Sequence, residues 1–322
     1  MLHGFTLIHD DFHDCLDDVL ASLALTWGRE YALMFSRGWD FEYFPSDRQA
    51  NDKLGKRFSI GKDYIWDSID RYHGIQSKCH YNKKFEEQLS VMRDELNEGW
   101  PVIVWMDPYY LRWTPCYKKA HAQHFCIAVE LDEKSGIIHC LDPFWNKDIN
   151  HIKISNFKSG NGKCIMLSLV DTEDIRFDWN DIIKSAVQEL IGNNRKINAF
   201  DSMRLFADEV ERSLDISLEI NGFEEIPFMA PLIIKTTVLG LHRVNFAMAL
   251  KYIAEKFKVE GLLPMVKDMK KFGRRWHKVR KIYFNGIGAE DAANTRSMAA
   301  KEIRSLAAAE ERFTHRLLDL TT

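Results

Sequence analysis

Two separated stretches of this chain carry the residue types of nucleophilic catalysis. They are HDCLDDVLASLA at 13–24 and HFCIAVELDEKSGIIHCLDPF at 124–144. In the first, Cys15 comes directly before an amphipathic run, so we expect the thiol at a helix N-terminus. There the exposed N–H groups and the helix dipole favour a thiolate. The position of Cys15 therefore indicates a cysteine nucleophile, although a buried structural thiol is the ordinary alternative.

The second stretch predicts a β-hairpin. His124 heads an apolar run, Lys134-Ser135-Gly136 marks a turn, and the returning run ends at Asp142. Such a hairpin brings His124 and Asp142 to neighbouring strand ends, where the carboxylate can orient the imidazole for base catalysis. His121 is the rival base, because the His-x-x-His spacing offers two candidates. Asp142 followed by proline is alternatively a simple turn.

The order Cys, His, Asp, with the nucleophile on a helix and the other two on paired strands, is that of papain-like enzymes. Within that fold the chain resembles the BtrH-like acyltransferases of antibiotic biosynthesis, and less closely the bacteriocin-processing cysteine peptidases. The resemblance rests on the early Cys15 and on three segments in the first half of the chain. These are GWPVIVWMDPYYL at 99–111, HAQHF at 121–125 and LDPF at 141–144.

This resemblance implies a cysteine acyltransferase that takes an acyl or aminoacyl group from a carrier-protein thioester to an amine. In that reading Cys15 attacks, His124 is the base and Asp142 orients it. Phosphopantetheine belongs to the carrier, and the enzyme itself needs no cofactor. A cysteine peptidase, amidase or thioesterase uses the same machinery, and a catalytically silent papain-like scaffold that binds a carrier or peptide is the third alternative.

The segment before Cys15 departs from the papain-like pattern. Such enzymes usually carry an oxyanion-stabilising glutamine shortly before the cysteine. This chain has His9, Asp10, Asp11 and His13 there instead. The sequence therefore does not identify the side chain that stabilises the oxyanion.

The hydrophobic pattern predicts an α+β fold. Strand-like runs lie at 101–106, 125–131, 136–141, 151–154 and 164–170, and helical spacing marks 83–99 before them. After residue 170 the pattern becomes helical, so we expect a papain-like catalytic domain at 1–170 and a helical domain at 171–322. The helical runs are 182–191, 199–214, 230–257 and 292–320.

Composition excludes several partners. The net charge of −3 gives no global basic field for nucleic acid. No apolar stretch reaches the ~20 residues that a membrane span needs. Six cysteines without a CxxC pair suit reduced thiols, which predicts a cytoplasmic protein.

Two further segments are candidates for binding. The aromatic loop of Tyr109, Tyr110 and Trp113 is either packing or the wall of a groove for a pantetheine arm or acyl chain. The segment 267–281 holds eight lysines and arginines, among them Lys270, Lys271, Arg274, Arg275 and Lys278. It is either a solvated helix face or a dock for an acidic carrier protein.

A zinc site was weighed because His121, His124, Cys126 and Cys140 lie close in sequence. Their spacing matches none of the common zinc patterns, and the two cysteines sit within predicted strands. We therefore expect no metal and assign Cys126 and Cys140 to the core.

Overall fold

The computed structural model describes residues 4–45, 53–61, 64–79, 84–173, 175–192 and 196–321. It contains two compact units. The first comprises Met1–Tyr31 with Ile69–Ile175, and the second comprises Ala32–Ser68 with Arg176–Thr322. The units thus differ from the linear division at 170 that the sequence suggests, because Ala32–Ser68 joins the C-terminal helices.

The first unit is built on a six-stranded antiparallel sheet, which confirms the predicted α+β class. The strand order is β3-β8-β4-β5-β6-β7. The strands are β3 (Ile75–Cys79), β4 (Val102–Met106), β5 (His124–Asp132), β6 (Ile137–Leu141), β7 (Ile149–Lys153) and β8 (Lys163–Leu169). Of these, β3 has no counterpart among the predicted strands, since three of its five residues are exposed.

Alternate side chains along a strand point to the same face of the sheet, and one face packs into a core. Val102, Val104 and Met106 of β4 point into a cluster that also contains Cys126 and Cys140. Both cysteines are fully buried in this core, as their positions within strands predict. Helix α1 packs against β5.

The first unit also contains three whole helices and part of a fourth. They are α1 (Cys15–Thr26), α3 (Phe85–Asn97) and α4 (Ile154–Ser159), with the C-terminal half of α2 (Tyr64–His73). Residue 83, at the start of the predicted helix 83–99, lies outside the described residues.

The predicted hairpin forms between β5 and β6, with Ile127 opposite Leu141. Its turn is closed by the Asp132 carboxylate, which accepts hydrogen bonds from the backbone N–H groups of Lys134 (3.0 Å) and Ser135 (3.1 Å). Gly136 follows at φ +70°, a conformation that glycine adopts without steric cost. The register therefore places His124 and Asp142 at the same end of the paired strands.

The second unit is mainly helical. Its helices are α5 (Trp179–Ile191), α6 (Ala199–Ser213), α7 (Ile216–Ile220), α8 (Pro231–Phe257), α9 (Leu262–Asn285) and α10 (Ala292–Asp319). The N-terminal half of α2 and two short paired strands, β1 (Glu42–Tyr43) and β2 (Phe58–Ser59), complete it.

A buried carboxylate explains why Ala32–Ser68 belongs to the second unit. Glu310 on α10 is fully buried and accepts hydrogen bonds from the indole N–H groups of Trp39 (2.7 Å) and Trp276 (3.1 Å). The Arg243 guanidinium forms an ion pair with it at 3.0 Å. A buried charge is tolerated only when it is paired and hydrogen-bonded, so Trp39 is tied to the helices by this network.

Among the described helices, none is both long enough and apolar enough to cross a membrane.

Candidate active site

Cys15 is the first residue of α1, where the sequence predicts a helix N-terminus. Asp14 is the N-cap, and its carboxylate accepts from the N–H groups of Leu16 (2.9 Å) and Asp17 (3.1 Å). The Asp17 carboxylate accepts in return from the Asp14 N–H at 3.0 Å, which completes a capping box. Asp14 and Asp17 are therefore both engaged in capping the N-terminus of the helix. Cys15 itself is half-buried.

His124 and Asp142 form a buried pair. Nε2 of His124 lies 2.7 Å from Oδ2 of Asp142, and the exposed fractions of the two residues are 4% and 0%. The indole N–H of Trp113 donates to the same Oδ2 at 2.6 Å. No described residue donates to Oδ1. Positive charge on the His124 ring is therefore the main balance to the negative charge of the Asp142 carboxylate.

The structure brings Cys15 to this pair. His124 is hydrogen-bonded to the Cys15 side chain as well as to Asp142. Because Nε2 binds Asp142, Nδ1 is the ring nitrogen left for the thiol. Burial by itself lowers the pKa of His124, but the negative charges of Asp142 and Cys15 and the hydrogen bonds to both raise it to about 10. The ring is therefore protonated at neutral pH.

His121, the rival base, lies in a different pair. Its Nδ1 is 2.5 Å from Oδ2 of Asp107, and its ring stacks on Tyr109 at 4.4 Å between centroids. The side chain is 69% exposed. No bond joins it to Cys15 or Asp142 among the described residues, so the geometry favours His124 over His121.

The residues of the predicted aromatic loop have different partners. Tyr109 stacks on His121, and Tyr110 packs against the sheet core. Trp113 is the residue of this loop that bonds to the site, through the hydrogen bond that its indole N–H donates to Asp142. The sequence does not reveal this role, because an indole N–H has no spacing signature.

The segment before α1 is tied to that helix by a regular set of bonds. The backbone N–H groups of residues 6, 8 and 10 donate to side chains of α1 one turn apart. The pairs are Thr6 to Thr26 (3.0 Å), Ile8 to Ser22 (3.1 Å) and Asp10 to Asp18 (3.2 Å). The polar residues 18, 22 and 26 recur every four positions on an otherwise apolar helix, a signal from which the contact could have been predicted.

A second imidazole–carboxylate cluster results from this docking. The buried Asp18 carboxylate binds Nδ1 of His9 at 2.5 Å and Nδ1 of His13 at 2.9 Å. Burial lowers the pKa of His13, but the hydrogen bond that its ring donates to Asp18 and the charges of Asp17, Asp18 and Asp10 outweigh it and raise that pKa. The histidines that replace the expected glutamine are thus held in fixed positions.

The predicted docking segment lies on α9 in the second unit. Arg275 and Lys278 both bind Glu302, at 2.6 and 2.8 Å, and Lys271 binds Asp268 at 2.9 Å. The other two candidates, Lys270 and Arg274, are exposed. Phe272, Trp276 and Tyr283, the aromatic residues of the same segment, are buried in the helical core and contribute nothing to a surface.

The residues weighed for zinc have other partners. His121 and His124 bind carboxylates, and the free thiols of Cys126 and Cys140 are buried in the same core cluster. Within the part of the chain that the structure describes, no group of three or more His, Cys, Asp or Glu is arranged to hold a metal ion.

Comparison with known families matches residues 13–143 to the model for butirosin biosynthesis protein H, N-terminal. This segment begins at His13 and ends just beyond Asp142, so it contains Cys15, His124 and Asp142. No curated protein matches the chain. Residues 13–143 are therefore similar to the N-terminal part of butirosin biosynthesis protein H, a protein of antibiotic biosynthesis.

Proposed function

We propose that the protein is a cysteine acyltransferase of secondary-metabolite biosynthesis, which moves an acyl or aminoacyl group from a carrier-protein thioester to an amine. One observation carries this proposal. His124 is hydrogen-bonded at once to Asp142, at 2.7 Å, and to Cys15. This is the nucleophile, base and orienting group of covalent acyl transfer.

The first half-reaction is a thioester exchange. Sγ of Cys15 attacks the carbonyl carbon of the donor, the C–S bond to the pantetheine arm breaks, and the departing sulfur takes the proton of the His124 imidazolium. Exchange of one thioester for another is nearly isoenergetic. The site therefore mainly has to position the carbonyl and stabilise the oxyanion.

The second half-reaction forms an amide. An amine attacks the acyl group on Cys15, the C–S bond breaks, and His124 regains a proton and restores the imidazolium beside the thiolate. Asp142 stabilises that imidazolium by its charge. A reducing cytoplasm suits the free thiol that this cycle requires.

The backbone supplies one oxyanion donor. Asp14 occupies the N–H groups of Leu16 and Asp17, whereas no acceptor binds the Cys15 N–H among the described residues. That N–H is one of the first-turn donors that a helix leaves without an internal partner. It lies on the nucleophile itself, where negative charge develops on the carbonyl oxygen.

The test is to follow acyl groups on Cys15 by intact-protein mass spectrometry. We expect N-acetylcysteamine thioesters, which mimic the pantetheine end, to acylate Cys15, and added amines to discharge it as amides. Discharge by water alone would make the protein a thioesterase. Cleavage of peptides would make it a peptidase, and absence of an acyl-enzyme from every thioester and carrier tried would leave a silent scaffold.

We propose that α9 docks an acidic carrier protein through Lys270 and Arg274. Both side chains are exposed, and neither forms an ion pair with another described residue. Arg275 and Lys278, in contrast, bind Glu302. Charges at the rim of an interface act mainly on the rate of encounter and are screened by salt.

Reversal of both charges, Lys270→Glu with Arg274→Glu, should therefore lower kcat/KM for a carrier-bound donor about 3- to 10-fold. The small thioester mimic should react within about twofold of wild type, because its reaction needs no carrier contact. Lys153→Glu with Lys184→Glu is the matched control, since it changes the net charge equally at exposed lysines elsewhere. An equal loss on both donors, or no loss on either, rejects the dock.

A further inference from the structure

His9, His13 and Asp18 form a second cluster of imidazoles and a carboxylate in the unit that holds Cys15. Asp18 follows Cys15 by three positions, so both lie on one side of α1. Its carboxylate has no exposed surface and holds His9 at 2.5 Å. The same oxygen pair holds His13 at 2.9 Å, so one carboxylate orients two imidazoles.

His9 and His124 border the same phenyl ring. The Phe144 ring meets the His9 ring edge-on at 5.5 Å between centroids and the His124 ring at 6.3 Å. Phe144 follows Asp142 by two residues, so it belongs to the strand end that forms the catalytic pair. His9 is therefore held at the rim of the Cys15 site rather than at a distance from it.

The two imidazoles on Asp18 differ in their surroundings. The side chain of His13 has no exposed surface, and although burial lowers its pKa, the hydrogen bond to Asp18 and the charges of Asp17, Asp18 and Asp10 raise it. His9 is 39% exposed, and its Nδ1 is the atom bound to Asp18. No described residue binds Nε2 of His9, so this ring nitrogen is the one left for a ligand.

An amine that binds as a cation needs a second base in the second half-reaction. A primary amine arrives in neutral water as an ammonium ion, R–NH3+, and it becomes an amide nitrogen with a single hydrogen. It therefore loses two protons while the electron pair of the breaking C–S bond returns to Cys15. His124 takes one proton to restore its imidazolium, and it has no capacity for the other.

We propose that His9, oriented by Asp18, takes the first proton from a cationic primary amine acceptor. This inference rests on the proposed function. The ammonium gives a proton to Nε2 of His9, and the neutral amine then forms the C–N bond as the C–S bond to Cys15 breaks. The second proton goes to His124, and His9 releases its own to water through its exposed edge.

His9→Asn separates this role from a structural one. Asparagine carries an amide N–H close to where Nδ1 lies, so it retains a donor for Asp18 while removing the base. The acyl-enzyme is formed from an N-acetylcysteamine thioester and then discharged by methylamine, a cation at neutral pH, or by methoxyamine, which is uncharged. General base catalysis contributes about 10²-fold or more. We expect a loss of that order with methylamine and a change within about twofold with methoxyamine.

Further readouts make the result specific. Raising the pH should restore the methylamine rate of the variant, because more of the amine is then already neutral. Formation of the acyl-enzyme should be unchanged, since the first half-reaction does not involve His9. His151→Asn, at an exposed histidine on β7, is the matched control and should behave as wild type.

Three outcomes overturn the role of His9. They are equal losses with both amines, no loss with either, and a wild-type acyl-enzyme that methylamine discharges no faster than water does. Failure of Cys15 to form an acyl-enzyme in the wild type is different, because it rejects the proposed acyl transfer itself. The two failures are therefore distinguishable in one experiment.

Discussion

Cys15→Ala is expected to reduce acyl transfer to background and to leave the fold intact. Among the described cysteines, the others near the His124–Asp142 pair are buried in the core. None of them can replace Cys15 as the nucleophile. Cys15 is only half-buried, and its loss removes no large apolar contact. Turnover with a thioester mimic and the midpoint of thermal unfolding measure the two effects.

Cys79→Ala is the matched control for this change. Cys79 ends β3 and is exposed, with no histidine bonded to it among the described residues. Iodoacetamide at neutral pH should label Cys15 about tenfold or more ahead of Cys79, because an adjacent imidazolium stabilises a thiolate. Slower or equal labelling of Cys15, or full turnover in Cys15→Ala, would contradict the assignment of the nucleophile.

His124→Ala should lower turnover about 10⁴-fold or more, as removal of a catalytic base does in comparable triads. His121→Ala should stay near the wild-type rate, because His121 is bound to Asp107 on the surface. The two variants remove the same chemical group three residues apart, so they form a matched pair. Turnover with the thioester mimic decides between them, and a larger loss in His121→Ala would reverse our choice of base.

Asp142→Asn tests the charge behind His124. The pKa of His124 is about 10 against an ordinary value of 6.5, so the pair contributes stability that is complete below about pH 6.5. That contribution is lost as the pH rises through about 10.

The difference in unfolding temperature between wild type and Asp142→Asn should therefore be largest near pH 6 and shrink toward pH 10. We also expect turnover to fall about 10²- to 10⁴-fold at neutral pH. A stability difference that is independent of pH would show that Asp142 does not hold His124 in its protonated form.

Local sequence patterns were sufficient to predict much of the first unit. The amphipathic run after Cys15, the alternation in β5 and the turn at Lys134-Ser135-Gly136 predicted a helix start and a hairpin, and the structure has both. The same hairpin carries the interval between His124 and Asp142 and contains the segment LDPF. Such features are encoded by neighbours in the chain, because caps, turns and strand alternation depend on residues a few positions apart.

Local sequence patterns did not predict which side chains from distant parts of the chain bond to one another. Only the structure distinguishes His124 from His121, gives the Trp113 indole to Asp142 and places two histidines on Asp18.

The same limit applies to the division into units. Nothing in the composition of Ala32–Ser68 indicates that Trp39 bonds to Glu310 across 271 positions. Sequence alone therefore determined most strands of the first unit, the longer C-terminal helices and the order Cys, His, Asp. The tertiary structure decided which polar groups meet, because a buried donor or acceptor is satisfied by whichever partner the packed fold brings within hydrogen-bond reach.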